Sequence, residues 1–137
     1  IYYFGDQHVA LTIGRNRAER MDAVRTALDA GVPIAIHSDA PVTPMGPLFT
    51  AWCAVNRRTM SGEVLGEAQC IGVEEALFAI TMGAAYTLKL DGEIGSISVG
   101  KRADFVALGQ NPLEVDAMAL KDVPVLGTVF GGQVQLL

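Results

Sequence analysis

Apolar residues recur at helical spacing in two stretches of the chain. The first stretch contains Ala18, Met21, Val24, Ala27 and Leu28, and the second contains Val73, Ala76, Leu77, Ile80, Ala84 and Leu88. A spacing of three to four residues puts such side chains on one face of a helix. The pattern therefore predicts one helix from Asn16 to Ala30 and another from Val73 to Leu88.

Residues near the ends of these stretches support both helices. Asn16 and Glu19 fit a capping pair at the start of the first helix, and Gly31 is placed to end it. In the second helix, Glu74 and Glu75 occupy the first turn, where the helix dipole favours acidic side chains.

Two short apolar runs, Ile1–Phe4 and Pro33–Ile36, are typical of strands. The second run is continuous, as in a parallel strand buried on both faces, and it ends in His37-Ser38-Asp39. Three prolines and a glycine between residues 40 and 47 predict a loop, after which Leu48–Val55 regains helical character. The order strand, helix, strand, helix predicts a βαβα arrangement with parallel strands and a right-handed crossover.

The chain after Asp91 changes to short strand candidates separated by glycines. These candidates are Ser96–Val99, Asp104–Leu108, Val125–Phe130 and Gln133–Leu137. Gly131 and Gly132 predict a hairpin turn between the last two, because both positions can take positive φ. We therefore expect a second structural unit in this part of the chain.

Composition narrows the class of protein. Half of the 137 residues are apolar, enough for a sizeable core, and a net charge of −5 argues against nucleic acid or an anionic membrane as partner. A small, weakly charged molecule is the expected partner. No apolar run approaches the roughly 18 residues of a membrane span, and the start does not resemble a signal peptide, so we expect a cytoplasmic protein.

Cys53 and Cys70 are predicted to be buried, reduced thiols, since they lack metal-site spacing.

Asp39 is the strongest candidate for chemistry. It follows an apolar strand and precedes a proline-rich loop, and catalytic groups of barrel enzymes lie at that end of their strands. A carboxylate there can bind a metal ion or take a proton from water. The alternative is that Asp39 caps the loop by bonding backbone amides near Val42.

Three further residues are candidates for substrate binding. His37 shares a strand face with Asp39, because side chains alternate along a strand. His8 lies in a turn after the first apolar run. Asn56 begins an Asn-Arg-Arg sequence whose donors suit a carbonyl or carboxylate group. The alternative for each histidine is a purely structural role. The alternative for the Asn-Arg-Arg sequence is that its polar side chains are solvated after the helix and bind no ligand.

Two longer motifs resemble the amidohydrolase superfamily. Residues 29–42 (DAGVPIAIHSDAPV) and residues 92–106 (GEIGSISVGKRADFV) are similar to its family-3 branch of YtcJ-like and formamide-deformylase-like metal-dependent hydrolases. Ala54–Arg57 and Val73–Leu77 are also similar, so the resemblance extends over nearly the whole chain.

The resemblance implies an α/β fold in two parts: the last two βα units of a TIM (β/α)8 barrel in residues 1–90, and part of a small β-sandwich in residues 91–137. It also implies that Asp39 binds a divalent metal ion, with Zn²⁺ the expected one, and shuttles the proton of an attacking water. The implied reaction is hydrolysis of a C–N bond in an amide or cyclic amide. The rival hypothesis is a non-catalytic or regulatory protein of this type, in which the region serves binding or assembly.

The family's other metal ligands, a His-x-His pair and two later histidines, have no counterpart in this sequence. The chain also opens inside a predicted strand without an initiator methionine, which suggests a C-terminal fragment of a longer hydrolase. A catalytic zinc site takes three protein ligands. We therefore expect the chain alone to bind no metal and to be inactive.

We predict that the isolated chain is a homo-oligomer. A (β/α)8 barrel takes about 250 residues, so two βα units leave open strand edges and uncovered apolar helix faces. Burial of apolar surface drives association, and we expect a dimer through the two predicted helices or through strand edges. Light scattering that shows a monodisperse monomer near 14.5 kDa would contradict this prediction.

Overall fold

The computed structural model describes residues 1–136. Six α-helices lie in these residues: α1 (Gly5–Gln7), α2 (Arg15–Ala18), α3 (Val24–Asp29), α4 (Pro47–Asn56), α5 (Val73–Ile80) and α6 (Met82–Thr87). A π-helical turn (His8–Thr12) follows α1, and 3₁₀ turns occupy Glu67–Gln69 and Ala117–Asp122. The strands of the described part, β1 (Phe105–Leu108), β2 (Val125–Phe130) and β3 (Gln133–Leu136), form one antiparallel sheet in that order. This mixture of helices and strands agrees with the predicted α/β class.

Helix α4 is the centre of the hydrophobic core, and it confirms the helix predicted at Leu48–Val55. Pro47 stands in its first turn, where a missing N–H costs nothing. Its buried face packs against α5 and the second 3₁₀ turn. The core residues are Ala51, Trp52, Ala54, Ile71, Ala76 and Leu120. Trp52 donates its indole N–H to the Met118 carbonyl at 3.0 Å, so the polar edge of the buried ring has a partner.

The helix predicted from Asn16 to Ala30 is divided into α2 and α3, with Asn16 inside α2 and not at its cap. Gly31, at φ +70°, ends the second part as expected. The break has a tertiary cause, because the guanidinium of Arg57 binds the carbonyls of Met21 and Asp22 in the interruption. This contact replaces helical hydrogen bonds there and overrides local helix propensity.

The helix predicted from Val73 to Leu88 is also divided, at Thr81, into α5 and α6. The Thr81 hydroxyl donates to the carbonyl four residues earlier at 2.7 Å, a bond that bends helices. The acidic first turn is confirmed: Glu75 accepts from the Gly72 N–H at 2.8 Å and pairs with Arg25 of α3. The Gly72 bond, and then the Arg25 bond, lower the pKa of Glu75.

The strand predicted at Ile1–Phe4 is wrong. These residues form a turn into α1, in which the Gly5 N–H donates to the Ile1 carbonyl at 2.8 Å. The Tyr2 carbonyl accepts from the Met60 N–H at 3.0 Å, so it bonds to a loop and not to a neighbouring strand. The aromatic side chains explain the turn, since Tyr2 packs edge-on against Phe49 of α4.

The parallel strand predicted at Pro33–Ile36 is not formed either. In the described part of the chain this run has no sheet partner, and the only strand pairs are antiparallel. A strand needs a neighbouring segment for its ladder of hydrogen bonds. Its predicted partner, Ile1–Phe4, is a turn, and the predicted βαβα pairing is therefore wrong for residues 1–136.

Residues 33–39, which we call the extended segment, nevertheless keep a strand-like pattern of burial. Positions 34, 36 and 38 are half-buried, whereas positions 33, 35, 37 and 39 are exposed. A period of two is that of extended backbone with one covered face. On that face the Ile36 side chain packs against the core. Separately, the backbone carbonyl of Ile34 lies against Gly83 of α6, where a Cβ would overlap it.

The strands predicted after residue 91 are mostly confirmed. Strand β1 lies within Asp104–Leu108, β2 matches Val125–Phe130, and β3 begins at Gln133 as predicted. Leu137, the predicted end of the last strand, lies outside the described residues. Gly131 and Gly132, at φ +55° and +81°, form the predicted hairpin turn.

The strand predicted at Ser96–Val99 is wrong. The Lys101 N–H donates to the Ser98 carbonyl at 3.1 Å, which makes the end of this run a turn. Ile97 and Val99 are exposed, so neither side chain has a sheet face to pack against. Apolar alternation here is therefore not evidence of pairing.

The parts of the chain before and after residue 91 share one core. Leu120, from the 3₁₀ turn between β1 and β2, is fully buried with Trp52 and Ala76. The division into units at 1–90 and 91–137 stays a prediction. No helix within residues 1–136 combines the length and the hydropathy that crossing a membrane requires.

Substitution of Gly83 tests the contact between the extended segment and α6. We expect G83A to lower the free energy of unfolding by about 1–3 kcal/mol, because the new methyl group overlaps the Ile34 carbonyl. Helix propensity alone predicts the opposite sign, since Ala is favoured over Gly inside a helix by roughly 0.5–1 kcal/mol. Thermal unfolding followed by circular dichroism measures the change. G92A is the control, because a Cβ at Gly92 meets nothing within 4 Å. A G83A variant as stable as the parent would contradict the close contact.

Candidate active site

An open cleft of about 470 Å³ lies between the N-terminal turn, the extended segment and α4. Its lining includes Ile1–Phe4, Asp22–Val24, Ile34–Ser38, Phe49, Thr50, Cys53 and Arg57. The rings of Tyr2, Tyr3 and Phe49 contact one another with centroids 5.1–5.9 Å apart. A cleft with mostly apolar walls and a few polar groups is typical of small-molecule sites.

Arg57 lines this cleft although only 1% of the residue is exposed. Its Nε donates to the Leu65 carbonyl at 2.7 Å, and its terminal nitrogens donate to the carbonyls of Met21 at 2.7 Å and Asp22 at 3.1 Å. Burial lowers the pKa of Arg57, and the three carbonyls compensate the buried charge by hydrogen bonding. The sequence suggested Arg57 as a donor to substrate, but its donors bind backbone.

Asp39 is the last residue of the extended segment, next to the loop that begins at Ala40, and it is exposed. Its φ of +57° is in the left-handed region, which Asp and Asn adopt more readily than other non-glycine residues. Its N–H donates to His37 Nδ1 at 3.0 Å, and its carbonyl accepts from the Val42 N–H at 2.8 Å. Within residues 1–136 its carboxylate accepts no hydrogen bond. The loop contact near Val42 thus belongs to the backbone of Asp39, and the carboxylate is left for other partners.

His37 is the member of the four predicted site residues that lines the cleft. It also lines a second cleft of about 170 Å³, beside Pro47 and Ile80. Like Asp39 it lies on the exposed face of the extended segment, in agreement with the shared face predicted from sequence. The hydrogen bond through Nδ1 brings the imidazole ring and the candidate catalytic residue together.

His8 and Asn56 do not line the cleft. His8 lies in the π-helical turn, with Nδ1 2.7 Å from Thr12 Oγ1. Asn56 donates through Nδ2 to the carbonyls of Trp52 at 3.1 Å and Ala117 at 2.9 Å, and so joins the end of α4 to the second 3₁₀ turn. This is a structural role for Asn56. Contacts of His8 and Asn56 with substrate stay predictions.

Cys53 and Cys70 are free thiols, as predicted, but they are half-buried and not fully buried. Burial raises the pKa of Cys53 to about 11 and also raises that of Cys70. Such thiols are poor nucleophiles and metal ligands at neutral pH, because the reactive form is the thiolate. Among residues 1–136, no three His, Cys, Asp or Glu side chains are grouped so that they could hold a metal ion.

The sequence did not reveal the aromatic lining of the cleft. An aromatic run such as Tyr2-Tyr3 fits a strand as well as a turn. The distinction depends on Phe49, which is 47 positions later than Tyr2 and becomes a neighbour only in the folded chain. The sequence contains no local signal for such a contact.

Substitution of Arg57 tests its role in holding the cleft together. We expect R57M to lower the free energy of unfolding by about 3 kcal/mol or more, because three backbone carbonyls lose a charged donor. Urea denaturation followed by the fluorescence of the single tryptophan, Trp52, measures the change. R58M is the matched control, since Arg58 donates to one carbonyl, that of Gly62, and we expect it to cost less than about 1 kcal/mol. Equal effects of the two substitutions would contradict the assigned role.

Comparison with known proteins identifies the family. Residues 1–135 match the profile of the Amidohydrolase family. The chain is 36% identical over 109 residues to the N-substituted formamide deformylase of Arthrobacter pascens, an alignment that covers 80% of this chain and 20% of that protein. It is 31% identical over 125 residues to the protein of Bacillus subtilis (strain 168) named as amidohydrolase YtcJ, an alignment that covers 89% of this chain and 24% of that protein. It is 34% identical over 129 residues to protein LONG AFTER FAR-RED 3 of Arabidopsis thaliana, with 91% of this chain and 22% of that protein covered.

Solved structures agree with these relatives. A crystal structure of an uncharacterized protein superposes with a TM-score of 0.57 at 26% identity, and a prolidase complexed with N-methylphosphonate-L-proline superposes with a TM-score of 0.51 at 28% identity. Each alignment covers 93% of this chain and 28% of the other. The chain thus spans about a fifth to a quarter of the length of the curated relatives it matches. The chain belongs to the amidohydrolase family, which confirms the resemblance to its family-3 branch.

Proposed function

We propose that this chain is part of the catalytic barrel of a metal-dependent hydrolase that cleaves a C–N bond in a small amide or cyclic amide. The observation that carries the proposal is that Asp39, in a chain of the amidohydrolase family, has an exposed carboxylate while its backbone is fixed. Its backbone groups are hydrogen-bonded, and its carboxylate is exposed and accepts no hydrogen bond within residues 1–136. The relative named as an N-substituted formamide deformylase supports an amide as the substrate class.

Asp39 fits a divalent metal ion as one ligand. Carboxylate oxygens bind Zn²⁺, and catalytic zinc sites take three protein ligands. Residues 1–136 bring no three such side chains together, so in this proposal the remaining ligands come from outside these residues. His37 binds the Asp39 N–H through Nδ1, which leaves Nε2 as its free ring nitrogen.

In this mechanism Asp39 moves the proton. A divalent metal ion, when bound, supplies an activated water at neutral pH and polarises the substrate carbonyl. A carboxylate oxygen of Asp39 accepts the proton of the attacking water and then donates it to the leaving nitrogen. Asp39 does not line the cleft but directly follows His37 and Ser38, which do, and the apolar and aromatic lining suits the non-reacting part of a small substrate.

A neutral variant of Asp39 tests the proposed function in the full-length protein. We expect D39N to lower kcat at least about 100-fold, since acid–base catalysis by one group contributes roughly 10²–10⁴-fold. We also expect it to reduce the bound metal measured by elemental analysis. Asn tolerates a positive φ as Asp does, so the backbone is preserved. Substrates would include N-substituted formamides, cyclic amides and a matched ester.

The control is D122N, which removes the same charge from an exposed residue of the second 3₁₀ turn that pairs with Lys121. We expect its kcat to equal that of the parent, because exposed ion pairs contribute little. A D39N variant with the kcat and metal content of the parent would contradict the proposal. It would favour the rival hypothesis of a non-catalytic amidohydrolase-like protein.

A further inference from the structure

The positive-φ backbone of Asp39 is stabilised by a hydrogen bond to a side chain, and not by the end of a helix. Within residues 1–136 the non-glycine residues with positive φ are Asp22, Asp39, Arg57 and Lys89. Arg57 and Lys89 follow helices, and their N–H groups donate to helical carbonyls at 2.9 and 3.0 Å. No helix precedes Asp39. Its N–H donates to the imidazole Nδ1 of His37 instead.

Other bonds fix the loop on either side of this contact. The Thr43 hydroxyl donates to the Ser38 carbonyl, and the Val42 N–H donates to the Asp39 carbonyl at 2.8 Å. On the N-terminal side the extended segment is seated on α6 through Ile34. The His37 bond is the link between these two fixed parts, because it spans the residue at which the chain leaves the extended segment and turns.

We propose that His37 is a positioning residue for Asp39. Its Nδ1 accepts the Asp39 N–H, holds Asp39 in the left-handed conformation and so fixes where the carboxylate projects. An accepting Nδ1 carries no hydrogen, so the ring is the neutral tautomer with its hydrogen on Nε2. Because His37 lines both clefts, its Nε2–H would serve as a donor for a carbonyl oxygen bound there. This inference rests on the proposed function of Asp39.

The tautomer can be tested in this chain without any activity. In ¹⁵N-labelled protein at pH 8, we expect His37 to show an unprotonated Nδ1 and a protonated Nε2, with a coupling across the hydrogen bond between Nδ1 and the Asp39 amide nitrogen. His8, the only other histidine, provides the internal comparison. A hydrogen on Nδ1 of His37 would overturn the proposal, whatever the protein catalyses.

Two substitutions test the positioning role in the full-length protein. H37N keeps an acceptor for the N–H two residues ahead, as asparagine does in Asx turns, whereas H37L has similar bulk and no acceptor. We expect H37L to lower metal affinity or kcat by about 10- to 100-fold, and H37N to restore most of it. Hydrogen exchange of the Asp39 amide should be faster in H37L than in the parent or in H37N.

The outcomes separate this inference from the proposed function. Loss of activity in D39N together with an H37L variant that matches the parent in kcat, metal affinity and amide exchange would overturn the positioning role alone. An H37N variant as impaired as H37L would also overturn it, because the hydrogen bond to Asp39 would not be the feature that matters. Unchanged activity in D39N would refute the proposed function, while the ring tautomer would still decide whether the bond exists.

Discussion

The structure depends on one buried guanidinium. Arg57 ends α4 in a left-handed conformation, and its side chain donates to carbonyls from two other parts of the chain, residues 21–22 and Leu65. A buried charge is costly unless it is hydrogen-bonded, so these segments cannot separate from α4 without leaving the charge unsatisfied. The break between α2 and α3 and the inner wall of the cleft follow from that requirement. One residue thereby couples the core to the wall of the cleft.

Sequence periodicity predicted those elements that have a clear local signal in the sequence. Helix α4, strand β2 and the hairpin at Gly131 and Gly132 follow from helix-starting proline, alternating apolar residues and glycines with positive φ. Several errors lie where distant residues decide, and others come from local hydrogen bonds that an apolar pattern does not reveal. The first and second long helices are interrupted, one by Arg57 and the other by the bond of Thr81 to the preceding turn. The turn at the start of the chain depends on Phe49, and a parallel strand cannot form where its neighbour is absent.

The candidate site was predictable to a similar extent. The end of an apolar run indicated Asp39, and the alternation of side chains placed His37 on the same face, which the burial pattern supports. The hydrogen bond that joins these two residues could not be predicted, because it depends on a left-handed backbone at Asp39 that no residue pattern specifies. Asn56 illustrates the converse. A polar residue at the end of a helix suits a ligand chemically, yet its Nδ2 donates to the Trp52 carbonyl and to the Ala117 carbonyl, the latter 61 positions away in sequence.

The alternating burial of the extended segment makes its length as important as its composition. The segment begins just after Gly31, which fixes the end of α3, and it is seated by the contact of Ile34 with Gly83. Because side chains alternate, deletion or insertion of a single residue between these points and Asp39 would exchange the two faces. His37 and Asp39 would then turn toward the core, and Ser38 would turn outward. Changes of one residue in length should therefore be far less tolerated here than in the loop after Pro41, whereas changes of two residues would preserve the facing of Asp39.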